Sequence, residues 1–448
     1  MDSLGGRRYA CAVRGVLPFA LALAACSPTP IDAGKAVIVQ GPDDDAWTRA
    51  PAPTRVRVEK IAAGGDASLM LEADAPVSEF SLGLGNAGEL SLTATSDDGV
   101  VRVRGRSLPV NPPGFAGHTL PLFVSRAGAF SRARGELGVA PGSAPRAALV
   151  SGRFLLVASG ESGASVETAS YDLASWSAVG GPTLGCKSPP CSIRSLAIVD
   201  DTLGLAVGDD AAIWFELADG SSGDVTPPSG LSGFDQIAGG LTVDADDGSA
   251  YVVGATRAAG ESDVVLRVSA TGELTAIHLT APRTRAAACW VEGRGLVVVG
   301  GSDTAAGAEL LAAGADSFVP LAFPPDATEG AALAALDSTT VVRIGGAADS
   351  VSLDLGCGTS CAPAAWSEPV ALDAAQGFSL SNGSVLAVGQ AQGATRAYLM
   401  SESSAQELPL REPRSNGIAV ALPTGHVAVV GGSVSGEPTR SIELFAEP

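Results

Sequence analysis

Short apolar runs that end in glycine recur along the C-terminal three quarters of the chain. Each is followed by a polar loop and a second apolar run, such as ASYDL or SIELF. Runs this short, bounded by turn residues, are typical of β-strands, and their regular spacing indicates a structural repeat. The glycine-ended runs are FLLVASG, LGLAVG, AYVVG, GLVVVGG, VVRIGG, SVLAVG and HVAVVGG, with glycines at 160, 208, 254, 300, 345, 389 and 431.

Each repeat has room for four strands. An Ala- or Val-rich run often precedes the glycine-ended run, as in APRAALV and EPRSNGIAVAL, and a fourth run follows in ASWSAVG and SFVPLAF. Four strands in about 45 residues is the spacing of a β-propeller blade. We therefore predict an all-β fold in which the glycine-ended runs are the inner strands of seven blades. A six-bladed ring is the alternative, if the divergent first or second unit lies outside it.

The repeats resemble kelch repeats, particularly the bacterial kelch-like form. The resemblance covers roughly residues 120–448 and implies a kelch-like β-propeller over that range. The glycines are then architectural, because a residue without a Cβ lets the chain leave a crowded strand with positive φ. The matching residues are Leu422-Pro423-Thr424-Gly425-His426, Gly431-Gly432 and Ser441-Ile442-Glu443-Leu444-Phe445 in the last repeat, and Tyr171-Asp172 and Trp176 in the first.

The last repeat stops at FAEP, before a fourth strand. A ring must close to avoid exposed strand edges, so another segment has to fill this place. The run AGAFSRARGEL, residues 127–137, has a suitable length and alternation. We predict that it completes the last blade.

Residues 53–115 have a different pattern. TRVRVEKI, EFSLGLG and ELSLTAT alternate apolar and polar residues over short runs, as half-buried antiparallel strands do. We predict a small Ig-like β-sandwich before the propeller.

The N-terminus has the pattern of an export signal. Arg7, Arg8 and Arg14 precede the apolar run VLPFALALA, which is too short to span a bilayer. The sequence that follows, Leu23-Ala24-Ala25-Cys26, resembles a bacterial lipobox. This resemblance implies that residues 1–25 are a signal peptide and that Cys26 carries a lipid anchor, with residues 26–52 as a flexible tether. It also implies a lipoprotein of the cell envelope, sorted by Ser27 to the outer membrane.

Two pairs of closely spaced cysteines are candidates for disulfides. Cys186 and Cys191 lie in GCKSPPCS, and Cys357 and Cys361 lie in GCGTSCAP. An exported protein experiences oxidising conditions, and Pro or Gly between the cysteines brings them within bridging distance. Cys289 is left over, and we expect it to be a buried apolar residue.

Charge and composition restrict the function. The formal net charge is −20, which disfavours binding to nucleic acid. Copper radical oxidases of the kelch type need two histidines, two tyrosines and a cysteine in one site, and the three histidines of this chain lie in unrelated contexts. We therefore expect no metal, no cofactor and no enzymatic activity, and a monomeric protein. A degenerate glycan hydrolase or oxidase is the alternative.

Propellers bind partners through the loops at one face. Four arginines, each shortly before a glycine-ended strand, are candidates for binding carboxylate-bearing or glycan ligands. We expect a protein partner first and an envelope polysaccharide second. The alternative is that these arginines only pair with acidic residues of adjacent blades. They are Arg146, Arg194, Arg283 and Arg414.

Overall fold

The computed structural model describes residues 34–448 except 43, 84–85, 112–116, 143, 160–164, 186–191, 200–201 and 218–219. The predicted signal peptide, Cys26 and the pair Cys186 and Cys191 lie outside these residues. The described helical segments are two 3-10 turns, Phe234–Gln236 and Gly254–Thr256, and in this part of the chain no helix is long and apolar enough to cross a membrane. The all-β prediction is confirmed.

Among the described residues, the first eight strands form two sheets that precede the repeats. One sheet has the order β3-β2-β5-β6-β8, and the other has the order β4-β1-β7, in which β1 runs parallel to β7. The strands are β1 (Lys35–Val39), β2 (Arg55–Ile61), β3 (Ala67–Asp74), β4 (Glu79–Ser81), β5 (Glu89–Thr95), β6 (Val101–Arg106), β7 (Thr119–Phe123) and β8 (Ser125–Arg126).

The alternation in this region places apolar residues on one side of each sheet. In β2, Val56 and Val58 are fully buried, whereas Arg55 and Arg57 are exposed. The two sheets share one apolar core, which is larger than the predicted domain of residues 53–115 because β1 and β7 also contribute. Strand β1 lies in the predicted tether: the Pro-rich residues before it suggested a flexible segment, but its run KAVIV pairs with β4 and β7.

The repeats form a series of antiparallel sheets. Among the described residues, six sheets have four strands each in chain order, and a seventh has the order β34-β35-β38. Between the N-terminal sheets and the repeats lies the short strand β9 (Ala129–Arg132).

The strands of the first three sheets are β10 (Arg146–Val150), β11 (Phe154–Ala158), β12 (Ser165–Asp172), β13 (Ser177–Gly185), β14 (Ser195–Ile198), β15 (Leu203–Val207), β16 (Ala212–Glu216), β17 (Ser222–Val225), β18 (Leu241–Asp244), β19 (Ala250–Val253), β20 (Ser262–Val268) and β21 (Leu274–Arg283). Those of the next three are β22 (Ala287–Val291), β23 (Gly295–Val299), β24 (Ala308–Ala312), β25 (Val319–Leu321), β26 (Ala331–Ala335), β27 (Thr340–Gly345), β28 (Ser350–Asp354), β29 (Ala364–Ser367), β30 (Asp373–Ser379), β31 (Val385–Ala391), β32 (Ala394–Ser401) and β33 (Ser404–Leu408). The last are β34 (Ile418–Ala421), β35 (His426–Val430), the hairpin β36 (Ser433–Val434) and β37 (Glu437–Pro438), and β38 (Ile442–Ala446).

Each sheet shares an apolar core with the next one. The first sheet packs on the second through residues such as Val150, Leu156 and Phe215. Similar cores join the following sheets in order, and the seventh packs on the first through Leu444 and Leu155 among others. The order of sheets therefore closes on itself, which is consistent with a β-propeller.

The innermost strands are not the glycine-ended ones. The first strands of the first six sheets contact one another in order, and β10 also contacts β34 of the last sheet. They are rich in small residues because they approach one another closely. On β30, for example, a Cβ at Gly377 would lie 3.1 Å from the Cβ of Ala334. The glycine-ended strands, predicted to be innermost, are second from the centre.

The paired glycines of the last repeat lie where two loops meet. Gly432 has a φ of +79°, and a Cβ there would lie 2.1 Å from the carbonyl oxygen of Ser415. The backbones of Ser415 and Ser433 exchange two hydrogen bonds of 2.9 Å at this point. Only glycine combines this conformation with such a close approach.

Residues 127–137 lie against the outer edge of β38. The backbone N–H groups of Gly128, Ala133 and Leu137 donate to the carbonyl groups of Ala446, Ile442 and Arg440, each at 2.8 Å. The ring of Phe130, on β9, packs against the ring of Phe445 at 5.5 Å. This segment therefore occupies the position that a fourth strand has in the other six sheets.

Candidate ligand-binding entrance

Two of the four candidate arginines are completely buried. The Arg283 side chain has no exposed surface, and its Nη2 and Nε lie 2.8 and 3.1 Å from Oε1 of Glu309, which is also buried. Nη1 of Arg283 donates to the carbonyl of Gly300 at 2.7 Å. The other carboxylate oxygen of Glu309 accepts from the backbone N–H of Thr280. Arg283 therefore links the end of β21 to Glu309 of β24 and to the end of the glycine-ended strand β23.

Arg414 repeats this arrangement in the last sheet. Its Nη2 lies 2.9 Å from Oε1 of Glu443, and both side chains are fully buried. Its Nη1 donates to the carbonyl groups of Gly431 and Ser441. Arg283 and Arg414 are thus structural, and neither is available to a ligand. Arg283 pairs with Glu309 of the following sheet, as the alternative of pairing between adjacent blades predicts. Arg414 pairs with Glu443 of the same sheet.

The sequence carries a signal for these buried pairs. Arg283 and Arg414 each lie four residues before the first residue of an innermost strand, and the third strand of each sheet has Glu as its second residue. The second sheet lacks both features, because Arg194 immediately precedes β14 and the second residue of β16 is Ile213. The joint presence of Arg and Glu at these positions identifies the pair.

Arg146 and Arg194 lie together at the starts of β10 and β14. The Nε of Arg146 donates to the backbone carbonyl of Arg194, and its Nη1 donates to the carbonyl of Pro145 at 2.8 Å. Burial and the neighbouring charge of Arg194 lower the pKa of Arg146. Arg194 is more exposed and forms a two-pronged contact with Asp209, at 2.9 and 3.2 Å.

Sequence reasoning missed a second charged group at the same end of the innermost strands. Arg285 precedes β22 by two residues and forms ion pairs with Asp373, the first residue of β30, and with Glu329, which lies two residues before β26. The offset from the strand start would have identified Arg285 in the sequence. We call the six residues Arg146, Arg194, Asp209, Arg285, Glu329 and Asp373 the arginine entrance.

The arginine entrance has three arginines and three carboxylates, but the carboxylates pair with only two of these arginines. Asp209 faces Arg194, and Asp373 and Glu329 face Arg285. Within the described residues, the guanidinium of Arg146 has no carboxylate partner, since its hydrogen bonds go to two backbone carbonyl groups. Arg146 can therefore donate to a ligand without first breaking an ion pair.

The histidines do not converge. His426 is buried, with its Nδ1 3.2 Å from Oγ1 of Thr424, whereas His278 is exposed beside Asp263. No cluster of three or more His, Cys, Asp or Glu side chains suited to a metal ion occurs in the described part of the chain. The structure contains the predicted disulfide between Cys357 and Cys361, with Cα atoms 5.3 Å apart. Cys289 is free, and burial raises the pKa of its thiol to about 12.

Comparisons with known proteins give no family and only distant structural similarities. No protein-family model matches the chain, and no curated protein does. Among solved structures, the WD40 β-propeller domain of Doa1 is similar over 71% of this chain and 97% of its own, with 13% identity and a TM-score of 0.47. YCF48 bound to D1 peptide is similar over 70% of this chain and 94% of its own, with 10% identity and a TM-score of 0.43.

A third similar structure is a quinonprotein alcohol dehydrogenase-like protein from Bacteroides thetaiotaomicron. It covers 92% of this chain and 96% of its own, with 10% identity and a TM-score of 0.43. Identities of 10 to 13% and TM-scores below 0.5 carry no argument about the function of this chain.

Proposed function

We propose that this protein is a non-catalytic binding module that holds a carboxylate-bearing partner protein at the arginine entrance. It acts as a monomer in the bacterial cell envelope, anchored to the outer membrane by a lipid on Cys26. Its scaffold is a kelch-like ring of seven blades, closed by residues 127–137 and preceded by an Ig-like sandwich.

The observation that carries this proposal is the state of Arg146. Its guanidinium is partly buried, lies beside a second arginine and has no carboxylate partner among the described residues. A buried cation without an anion is costly, and a ligand carboxylate would remove that cost with charge-assisted hydrogen bonds. Arginines of the entrance that already have carboxylate partners, such as Arg194, would then attract the ligand toward Arg146.

The net charge of the chain restricts the ligand further. A polyanion would be repelled by a protein of net charge −20. Salt screens that repulsion beyond about 8 Å at physiological ionic strength. One or two carboxylates close to Arg146 are therefore still attracted to its guanidinium. The partner surface should therefore present a small acidic motif within a neutral or basic segment.

A binding titration with matched variants tests the proposal. The probe is a fluorescently labelled short peptide with two glutamates among neutral residues, and its amide analogue with two glutamines serves as the ligand control. We expect the glutamate peptide to bind, and Arg146→Gln to weaken that binding about tenfold or more, since hydrogen bonds to charged groups contribute about 1.5–3 kcal/mol. Arg396→Gln, on β32 and paired with Glu407, is the matched control and should change nothing.

Other outcomes would contradict the proposal. Equal binding of the glutamate and glutamine peptides would show that the arginine entrance does not recognise carboxylates. Binding of an acidic oligosaccharide in preference to the peptide would favour an envelope polysaccharide as the ligand. Hydrolysis or oxidation of that oligosaccharide would favour the enzymatic alternative.

A further inference from the structure

A second concave site shares no residue with the arginine entrance. It is a cavity of about 230 Å³ between the segment after β1, strand β9 and the loop after β33. We call it the seam pocket, and its lining residues are Pro42, Asp44, Ser131, Arg132 and Arg411.

The seam pocket contains buried polar atoms without partners. Ser131 is 1% exposed, and its Oγ has no hydrogen-bond partner among the described residues. Asp44 Oδ1 accepts from the backbone N–H of Ala46 at 3.0 Å, whereas its Oδ2 has no partner in the same set of residues. Buried polar groups are nearly always hydrogen-bonded. The Ser131 hydroxyl lies close enough to Asp44 to lower its pKa, but its single proton leaves the other acceptor positions of both oxygens open to a donor group.

Burial raises the pKa of Asp44 above its ordinary value, while the nearby Ser131 hydroxyl, the Ala46 N–H and the charge of Arg411 act in the opposite direction. A cationic donor would favour the ionised form of Asp44 and would satisfy its free oxygen at the same time.

The two arginines supply complementary chemistry. The Nε of Arg411 donates to the carbonyl of Phe130 at 2.8 Å, and its Nη2 lies 3.5 Å from Asp45 Oδ1. The Nη2 of Arg132 lies 3.4 Å from Glu412 Oε1. A guanidinium has five N–H donors, so both side chains keep donors for a carboxylate.

Charge and size select among the possible ligands. Arg132 pairs with Glu412 and Arg411 with Asp45, and the charge of Arg126 acts on both Asp44 and Asp45, so positive and negative groups around the pocket are nearly balanced. A molecule that carries one ammonium and one carboxylate would leave the balance unchanged. The volume is below the roughly 300–1,000 Å³ of pockets for drug-sized ligands, which favours a very small molecule.

We propose that the seam pocket binds a free amino acid, with its ammonium group on Asp44 and Ser131 and its carboxylate on Arg132 and Arg411. This site is independent of the arginine entrance, and its proposal stands whether or not the entrance binds a partner.

Calorimetric titration of the purified full-length protein tests this proposal. The probes are glycine, L-alanine, L-serine and L-glutamate, with N-acetyl-alanine and alanine amide as analogues that lack one charged group, and D-glucuronate as an anion without an ammonium group. We expect at least one amino acid to bind, and each blocked analogue of it to bind about tenfold more weakly or less. No heat of binding with any amino acid at millimolar concentration would overturn the proposal, as would binding of glucuronate alone.

Variants locate the site. Ser131→Ala removes a hydroxyl that makes no hydrogen bond of normal geometry in the described residues, so we expect little change in the stability of the free protein together with about tenfold weaker amino-acid binding. Asp44→Asn should weaken binding by a similar factor. The matched control is Asp316→Asn, an exposed residue paired with Arg267 on β20, which should bind as the wild type does. Amino-acid binding that survives both Ser131→Ala and Asp44→Asn would place the ligand elsewhere and refute the seam pocket.

Discussion

The buried arginine–glutamate pairs show how a single residue type takes two roles in this chain. Arg283 and Arg414 have their charges neutralised inside the protein, by Glu309 and Glu443 respectively, whereas Arg146 and Arg194 lie at the ends of innermost strands. Taking a charge out of water is costly, so each buried pair depends on both partners and on the backbone groups around them.

Removal of one partner should be strongly destabilising. We expect Arg414→Met to lower the free energy of unfolding by about 3–5 kcal/mol, because it leaves Glu443 buried without its cation. Arg396→Met, which breaks the exposed pair with Glu407, should cost about 0–1 kcal/mol. Urea unfolding of the two variants measures the difference.

A double variant separates the charge from the packing. Arg414→Met combined with Glu443→Leu should recover part of the loss, since no unpaired charge remains. Recovery should be incomplete, because the backbone N–H groups of Arg411 and Glu412 lose the acceptor that Glu443 provides. Equal stability of the single variant and the wild type would contradict the assigned role.

His426 should make stability depend on pH. Burial among Phe123 and Trp176 lowers the pKa of His426 to about 4, compared with an ordinary value of about 6.5. Between these two pKa values the unfolded chain binds a proton that the folded chain excludes. The stability that neutral His426 contributes is therefore fully present above about pH 6.5 and is lost as the pH falls toward 4. Its full size is on the order of 3 kcal/mol.

The measurement is urea unfolding at several pH values between 4 and 7. His426→Gln should flatten the dependence relative to the wild type, whereas His278→Gln, an exposed residue beside Asp263, should leave it unchanged. An identical slope for His426→Gln and the wild type would show that His426 does not titrate in this range.

For single side chains, the sequence reveals the residue type but not the surrounding groups. Spacing singled out four arginines, and two of them lie at the arginine entrance. The burial of the other two depends on Glu309 and Glu443, which are distant in sequence, so a search limited to the arginines could not distinguish the roles. The unsatisfied hydroxyl of Ser131 has no sequence signal at all.

The arrangement of strands follows from small residues at specific places. Alternation and the glycine period predicted the strands, and the structure has four-stranded antiparallel sheets in that order. The choice of the innermost strand could not be predicted from apolar character, because all strands of a sheet are partly apolar. Packing between sheets decides it, and the Ala-rich first strands with Gly377 allow the closest approach.

The close approach at Gly432 gives a prediction for a loop. Gly432→Ala should destabilise the protein more than Gly436→Ala does. Both glycines have positive φ, of +79° and +89°, so both substitutions are strained. At Gly432 the new Cβ would meet the carbonyl oxygen of Ser415 at 2.1 Å, whereas at Gly436 no atom of the described residues lies within 4 Å.

Thermal unfolding of the two variants isolates the steric part. We expect Gly436→Ala to cost about 1 kcal/mol from the backbone alone, and Gly432→Ala to cost several times more. Equal costs would show that the loop at Ser415 moves freely and does not fix the turn after β35.

The N-terminal sheets and the ring are joined at the place where the ring closes. Phe123, the last residue of β7, stacks on Trp176, in the turn between β12 and β13, with ring centroids 4.7 Å apart. Its ring centroid also lies 5.7 Å from that of His426 in the last sheet. One side chain therefore belongs to the junction of three sheets. This joint could not be foreseen from the sequence, since Phe123 lies beyond the predicted sandwich of residues 53–115.

We expect the N-terminal sheets and the ring to unfold together. Calorimetry of the wild type should show one transition, and Phe123→Ala should cost about 3–5 kcal/mol. Phe80→Ala is the control, because Phe80 packs only in the core of the N-terminal sheets. Two separate transitions in the wild type, with Phe123→Ala affecting only the first, would contradict the coupling.

The measurement that tests the proposed function most directly is hydrogen exchange of the whole protein with and without the glutamate peptide. We predict slower exchange in segments 144–148, 192–196 and 283–287, which contain Arg146, Arg194 and Arg285, and no such protection in Arg146→Gln. Protection confined to the N-terminal sheets or the outer strands, or an equal pattern in Arg146→Gln, would show that the arginine entrance is not the binding surface.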